Sequence, residues 1–148
     1  MTESSGAMEA RVRASFERQG IMRTLGAVLT GVGPGTAEIR LPYRADLTQQ
    51  HGLLHAGVVA TIADSASGYA AFSLMPPEAA VLTIEYKINL MAPATGEALV
   101  ARGQVLRAGK TVTVCQANVH AMRDGAEHLV ATLLATVMTV MDRKGLSG

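Results

Sequence analysis

Asp64 is the only acidic residue between Asp46 and Glu78, and it lies in the most apolar, small-residue-rich stretch of the 148-residue chain. No Lys or Arg occurs from Ala45 to Tyr86, so no cation nearby in sequence can pair with it. A carboxylate among apolar neighbours is costly unless paired or hydrogen-bonded. Chemistry is one reason to keep such a group; capping or bonding a neighbouring backbone group is the other. His55, Ala56 and Gly57 stand where a polar loop gives way to this apolar stretch. If a helix begins there, the amides of Ala56 and Gly57 fall in its first turn, without an acceptor inside the helix. Such N–H groups, at the positive end of the dipole, suit a developing oxyanion. His55 by itself reads as a cap or a loop-packing residue. A carboxylate and a pair of free amides together point to acyl transfer.

Spacing then limits how these groups can act. Eight residues separate Ala56 from Asp64, about 12 Å along a helix at 1.5 Å per residue. A single reacting carbonyl cannot lie ~3 Å from both groups of one helix. Joint action therefore requires two copies of the chain and a site shared across a two-fold axis.

The elements that must position these residues follow from periodicity. Residues 1–7 read as a frayed leader. Met8, Val12 and Phe16 recur every four residues among charged ones, which predicts an amphipathic helix stopped by Gly20. Residues 22–32 and 35–41 read as two strands around Gly33-Pro34-Gly35, and Pro42 to His51 as a loop. The 55–72 segment is expected to be a buried helix ended by Pro76 and Pro77. Leu82, Ile84, Tyr86, Ile88 and Leu90 alternate with Thr83, Glu85, Lys87 and Asn89, a strand with a period of two. Strands over 97–107, 110–122 and 128–141 follow, the last two joined at Asp124-Gly125. The expectation is an α+β chain in which a four-strand antiparallel meander and two earlier strands wrap a central helix.

Gln49-Gln50-His51-Gly52-Leu53-Leu54-His55-Ala56-Gly57, followed by Asp64, resembles the PaaI-like acyl-CoA thioesterases of the hotdog superfamily. Their pattern is a polar amide residue, a Gly three later, then His-Gly-Gly, then an acid nine residues after the His. Leu82-Thr83-Ile84-Glu85 through Pro93-Ala94-Thr95-Gly96 is similar to the family's third strand and its turn. The resemblance implies a single hotdog domain over 21–142, preceded by the leader and helix of 1–20. It implies hydrolysis of an acyl-CoA to free acid and CoA; the Met and small residues around Leu74-Met75 and Leu90-Met91 allow an adaptable apolar pocket compatible with medium-chain or aryl acyl groups, selecting neither. Asp64 would be general base or nucleophile, and the Ala56 amide would polarise the thioester carbonyl with Gly57 behind it. Gln49, or Gln50 if the register shifts by one, would orient the water or thioester. Thr83 would bond near the attacking water, and His55 would shape the helix start. Ala56 replaces the family's first Gly, a change tolerable where a backbone N–H does the work. Arg107, Gly109 and Lys110 form a basic hairpin tip that would hold the coenzyme A phosphates, with Arg102, Arg143 and Lys144 as weaker alternatives. Coenzyme A enters as part of the substrate and no separate cofactor is expected. The implied assembly is a homo-oligomer with its site at the dimer interface, a dimer of dimers. A non-catalytic acyl-CoA-binding module and a hotdog enoyl-CoA hydratase or dehydratase are the alternatives.

Composition removes other classes. Net charge is +1 and aromatic residues make up 3% with no Trp, which argues against nucleic acid as a partner. The single Cys115 allows no internal disulfide and reads as an inert core thiol. His120 and His128 show no partner pattern, and no metal-ligand spacing occurs. The N-terminus lacks a signal-peptide pattern, and a mid-bilayer Asp64 would be costly. The expected location is the cytoplasm, with no membrane partner.

Overall fold

The structure is a computed structural model that describes residues 3–148. Helices α1 (Ser5–Arg18) and α2 (Gly20–Leu25) precede strands β1 (Val28–Gly33) and β2 (Thr36–Pro42). A short 3-10 turn, Ala45–Leu47, leads to α3 (Ala56–Phe72), and four strands follow: β3 (Ala80–Leu90), β4 (Ala98–Ala108), β5 (Val112–Arg123) and β6 (Ala126–Val140). The strands form one antiparallel sheet in the order β1-β2-β4-β5-β6-β3. α3 lies on one face of it, against β2, β4, β5, β3 and β6. The architecture is the hotdog fold expected from the sequence.

Small side chains let helix and sheet approach closely. Ala63, Ala66 and Ala70 of α3 are fully buried, as is Ala117 of β5. Gly103 of β4 lies directly beneath the helix, and a Cβ there would collide with the carbonyl of Ala66. α1 packs Met8, Val12 and Phe16 into the same core. Its Arg11 donates to the carbonyls of Phe72 and Met75 at 3.2 Å each and lies 4.5 Å above the Phe72 ring. The Phe72 carbonyl, at the end of α3, also accepts from the Met75 amide at 3.1 Å, so Arg11 ties the turn that follows the helix to α1.

Four expectations need correction. Residues 5–7 are helical, because the Ser4 side chain accepts from the Ala7 amide and caps α1; residues 1 and 2 of the expected leader lie outside the described residues. Gly20 does not stop the chain's helical course but opens α2, since Gln19 alone breaks from helical backbone. The strand expected from residue 22 begins at Val28: Met22 and Leu25, three apart, are both buried on α2, and left-handed Gly26 ends it. Finally, the last four strands are not a simple meander. The β2–α3–β3 connection carries the chain over the sheet to its far edge, so β3 pairs with β6 while β4 returns beside β2.

A β-bulge also breaks the period of two in β3. Thr83 pairs with Val137, but Glu85 pairs with the next residue, Thr136. One extra residue, Ile84, thus switches the alternation. Thr83 then shares the helix-facing side with Tyr86, Ile88 and Leu90, while Glu85, Lys87 and Asn89 lie on the outer face.

Candidate active site

Asp64 sits mid-way along α3, half-buried, on the side that meets β3. Burial raises its pKa above the ordinary carboxylate value, and a hydrogen bond from Thr83 acts in the lowering direction. The Thr83 Oγ1 donates to Asp64 Oδ1 at 2.8 Å. The bulge after Thr83 makes this bond compatible with a β3 whose later apolar residues also face inward. No described salt bridge involves Asp64, so its carboxylate is oriented by a hydroxyl and left without a neutralising charge.

This carboxylate borders a cavity of about 290 Å³ reached by Gln19, Ser65, Gly68, Tyr69 and Thr83. A larger hollow of about 520 Å³ lies on the outer face of the sheet between Gly31, Arg102 and Gln116. That hollow is on the opposite side of the sheet from α3 and touches none of the acyl-transfer groups, so the smaller cavity is the one relevant to Asp64.

His55 is the N-cap of α3, in extended backbone, and its Nδ1 accepts from the Gly57 amide at 2.8 Å. The Gly57 amide is therefore occupied, which corrects the expectation of two free amides. The Ala56 amide has no acceptor among the described residues. Two further bonds fix the helix start: His55 N–H to the Leu47 carbonyl at 3.0 Å and Leu54 N–H to the Ala94 carbonyl at 2.9 Å. Gln49 folds into its own turn. Its N–H donates to Leu53 at 2.8 Å, and its side-chain oxygen accepts from the His51 amide. Gln50 is exposed. Gln49, His55 and Ala56 thus gather at the start of α3, and none of them borders the cavity at Asp64.

Arg107 and Lys110 are exposed at the β4–β5 turn, free of ion pairs among the described residues. Gly109 is demanded there, because a Cβ would collide with the Val112 carbonyl. The tip stands level with Leu82 of β3 through the pairings Val112–Met138–Leu82, at the same end of the sheet as Thr83. Arg102 is already engaged by Glu38 at 2.7 Å and Glu127 at 2.6 Å. Arg143 and Lys144 are exposed in the tail. His120 keeps a buried Nδ1 without a partner, and His128 is exposed. Cys115 is buried, and desolvation pushes its thiol up to about 11, so it stays protonated and unreactive.

Sequence reasoning missed the polar wall that α1 supplies to the Asp64 cavity. Gln19 Nε2 donates to the Tyr69 hydroxyl at 3.0 Å, and Ser15 Oγ lies 3.4 Å from that hydroxyl. The available signal was the place of Ser15, one residue before buried Phe16 and three after buried Val12 on the apolar side of an amphipathic helix.

Comparison with known proteins makes the chain a thioester hydrolase. The family profile described as "Thioesterase superfamily" matches residues 51–127. The chain belongs to that superfamily. A crystal structure of a thioesterase family protein from Silicibacter pomeroyi is 51% identical, with a TM-score of 0.89, covering 90% of this chain and 98% of that one. A protein of Halobacterium salinarum named as an esterase is 33% identical over 80% of this chain and 81% of its own length. Acyl-coenzyme A thioesterase 13 of Homo sapiens is 29% identical over 76% of this chain and 81% of its own. The PaaI protein of E. coli shares the fold, with a TM-score of 0.83 at 20% identity, covering 98% of this chain and 99% of that one.

Proposed function

We propose that this thioester hydrolase cleaves acyl-CoA, with a medium-chain or aryl acyl group, in a site shared by two copies of the chain. The observation that carries the reading is Asp64 itself: a half-buried carboxylate with no ion pair among the described residues, oriented by Thr83 and bordering a cavity. The name of the human relative, an acyl-coenzyme A thioesterase, supports the choice of thioester. Asp64 takes a proton from water as the water oxygen bonds to the thioester carbon. The carbonyl oxygen gains negative charge and is held by the Ala56 amide of the other copy, at the positive end of α3. Collapse breaks the C–S bond, and the departing thiolate takes up the proton. In the nucleophilic variant, Asp64 attacks the carbon directly, the C–S bond breaks and the thiolate leaves to take a proton from water, and a water molecule then hydrolyses the anhydride to free acid and regenerated Asp64 carboxylate.

His55 pre-sets the helix start by holding the Gly57 amide, so that Ala56 alone points a free N–H outward. Gln49 presents its remaining amide donor capacity from the adjoining turn to water or thioester. Arg107 and Lys110 face the CoA phosphates, with Gly109 shaping the turn. The test is thiol release from a panel of acyl-CoAs. Asp64→Asn is expected to lower kcat by roughly 10²–10⁴-fold, the range for loss of a general base. Undiminished turnover in that variant would overturn the assignment.

A further inference from the structure

We propose that residues 145–148 form a strap across the cavity beside Asp64, latched by Arg18, which short acyl groups leave shut and long ones displace. This rests on the acyl-CoA reading above and adds to it a moving part. β6 ends at Val140, which pairs with Ala80. The chain therefore leaves the sheet beside Ala80, Val81 and Leu82, the β3 wall of the cavity. Asp142 and Gly145 then take left-handed backbone, with φ of 50° and 86°, and the Leu146 N–H donates to the Arg143 carbonyl at 3.0 Å. These turns fold the tail back toward the end of α1. Leu146, Ser147 and Gly148 there border the same cavity as Asp64 and Thr83.

The strap lies where a long acyl chain would have to go. Phe72 follows Asp64 by eight residues, about 12 Å along α3. Gly148 is seated at Phe72: a Cβ there would collide with the Phe72 ring and the Ala79 carbonyl. Between Asp64 and Phe72, nothing lies within 4 Å of where a Gly68 side chain would begin, so the helix surface is bare along that path. An acyl chain running from Asp64 past Gly68 meets the strap. With the strap in place the cavity holds about 290 Å³, the small end of the range of roughly 300–1,000 Å³ for ligand sites. The latch is slight. Arg18, the last residue of α1, donates to the Gly148 carbonyl in an exposed hydrogen bond, and Leu146 and Ser147 are exposed. A tail stays ordered only where it is tied down, and segments with few buried contacts open locally at low cost. A long acyl group that buries its own apolar surface against Ala80, Val81 and Phe72 takes the place of the strap.

The experiment measures thiol release from butyryl-CoA and decanoyl-CoA by the full chain, by a chain ending at Lys144, and by Arg18→Met, with thermal unfolding to check that each folds. Ending at Lys144 removes the strap and keeps Arg143 and Lys144. Both variants should raise kcat/KM for decanoyl-CoA roughly fivefold or more, through KM, because the binding-competent open state no longer has to be selected from a minority. Butyryl-CoA should change by no more than about twofold, since its site is open already. Trypsin supplies a second reading: the bonds after Arg143 and Lys144 lie in the turn that the latch holds, and mass spectrometry follows their cleavage. The non-hydrolysable decanoyl-CoA thioether should speed that cleavage in the full chain and the butyryl thioether should not; Arg18→Met should speed it with no ligand present. An unchanged ratio of decanoyl to butyryl turnover across the three proteins would overturn the strap and leave the thioesterase reading standing. A fall in decanoyl turnover in the shortened chain would overturn it too, because the tail would then be fixed wall. Thiol release from neither substrate in any of the proteins would overturn the acyl-CoA reading, and trypsin would then judge the strap alone: equal cleavage of wild type and Arg18→Met without ligand rejects it, faster cleavage of the variant supports it.

Discussion

At the scale of single residues, the site depends on the balance of two opposing effects on Asp64. Burial raises its pKa and the Thr83 hydrogen bond lowers it. Thr83→Val removes the lowering contribution with little change in shape, so the acid limb of the pH–rate profile should move to higher pH. Sequence alone shows both residues but cannot rank these effects, because the bulge that aims Thr83 at Asp64 depends on how β3 pairs with β6. A second consequence concerns stability. The folded pKa of Asp64 is raised above its unfolded value, so protonation favours the folded state. Its contribution is fully present below the unfolded pKa and is lost as pH rises through the folded pKa. Asp64→Asn should therefore unfold at a higher temperature than wild type at neutral pH, with the gap closing as pH falls into the carboxylate range. Gain of stability with loss of turnover is the pattern expected of a functional group held in an unfavourable place. A lower unfolding temperature for Asp64→Asn at neutral pH would instead make Asp64 a structural residue.

At the scale of elements, the position of Asp64 relative to β3 is set by how closely α3 can lie on the sheet. Gly103 leaves the helix backbone room at Ala66. Gly103→Ala should cost about 1–3 kcal/mol, the usual range for overpacking, or roughly 2–4 °C per kcal/mol in a domain of this size. Gly6→Ala is the control: Gly6 lies in α1 with nothing near a Cβ, and Ala there should be neutral or stabilising by up to about 1 kcal/mol. Equal Tm values for the two variants would reject the close-approach account. The central helix was legible because its apolar, small-residue composition fits burial on nearly all sides, and β4 to β6 because their turns carry Gly and Asp signals. α2 was read as strand because six residues with two buried side chains are too short to declare a period. Sheet order was not legible either. Alternation in β3 marks it as a strand but says nothing about whether it pairs with β4 or crosses to β6. The helix-start amides were half legible: their place in the first turn follows from sequence, but the His55 Nδ1 bond to Gly57 is a rotamer choice.

At the scale of the whole molecule, β3 is the structure's most exposed long element. It ends the sheet on one side, and Leu82, Ile84, Tyr86 and Leu90 are 40%, 53%, 43% and 52% exposed. A long apolar edge strand is a template for pairing with another chain, and no strand among the described residues pairs with its outer edge. A second copy related by a two-fold axis would extend the sheet across β3 and bury these residues. Pairing there would also bring Asp64, beside β3, toward the start of the partner's α3, which the 12 Å separation along one helix requires. Assembly and catalysis are then one property of the same edge. Ile84→Lys with Tyr86→Lys places two charges on that edge without touching Asp64, Thr83, Ala56 or the cavity lining. Light scattering should show the mass falling to that of one chain, 15.4 kDa, and thiol release should fall by at least the 10²-fold expected for losing an oxyanion donor. Circular dichroism should show the fold retained, since neither side chain belongs to the buried core. A folded monomer that still releases thiol at the wild-type rate would show that one chain holds a complete site, and the two-copy mechanism would have to be abandoned.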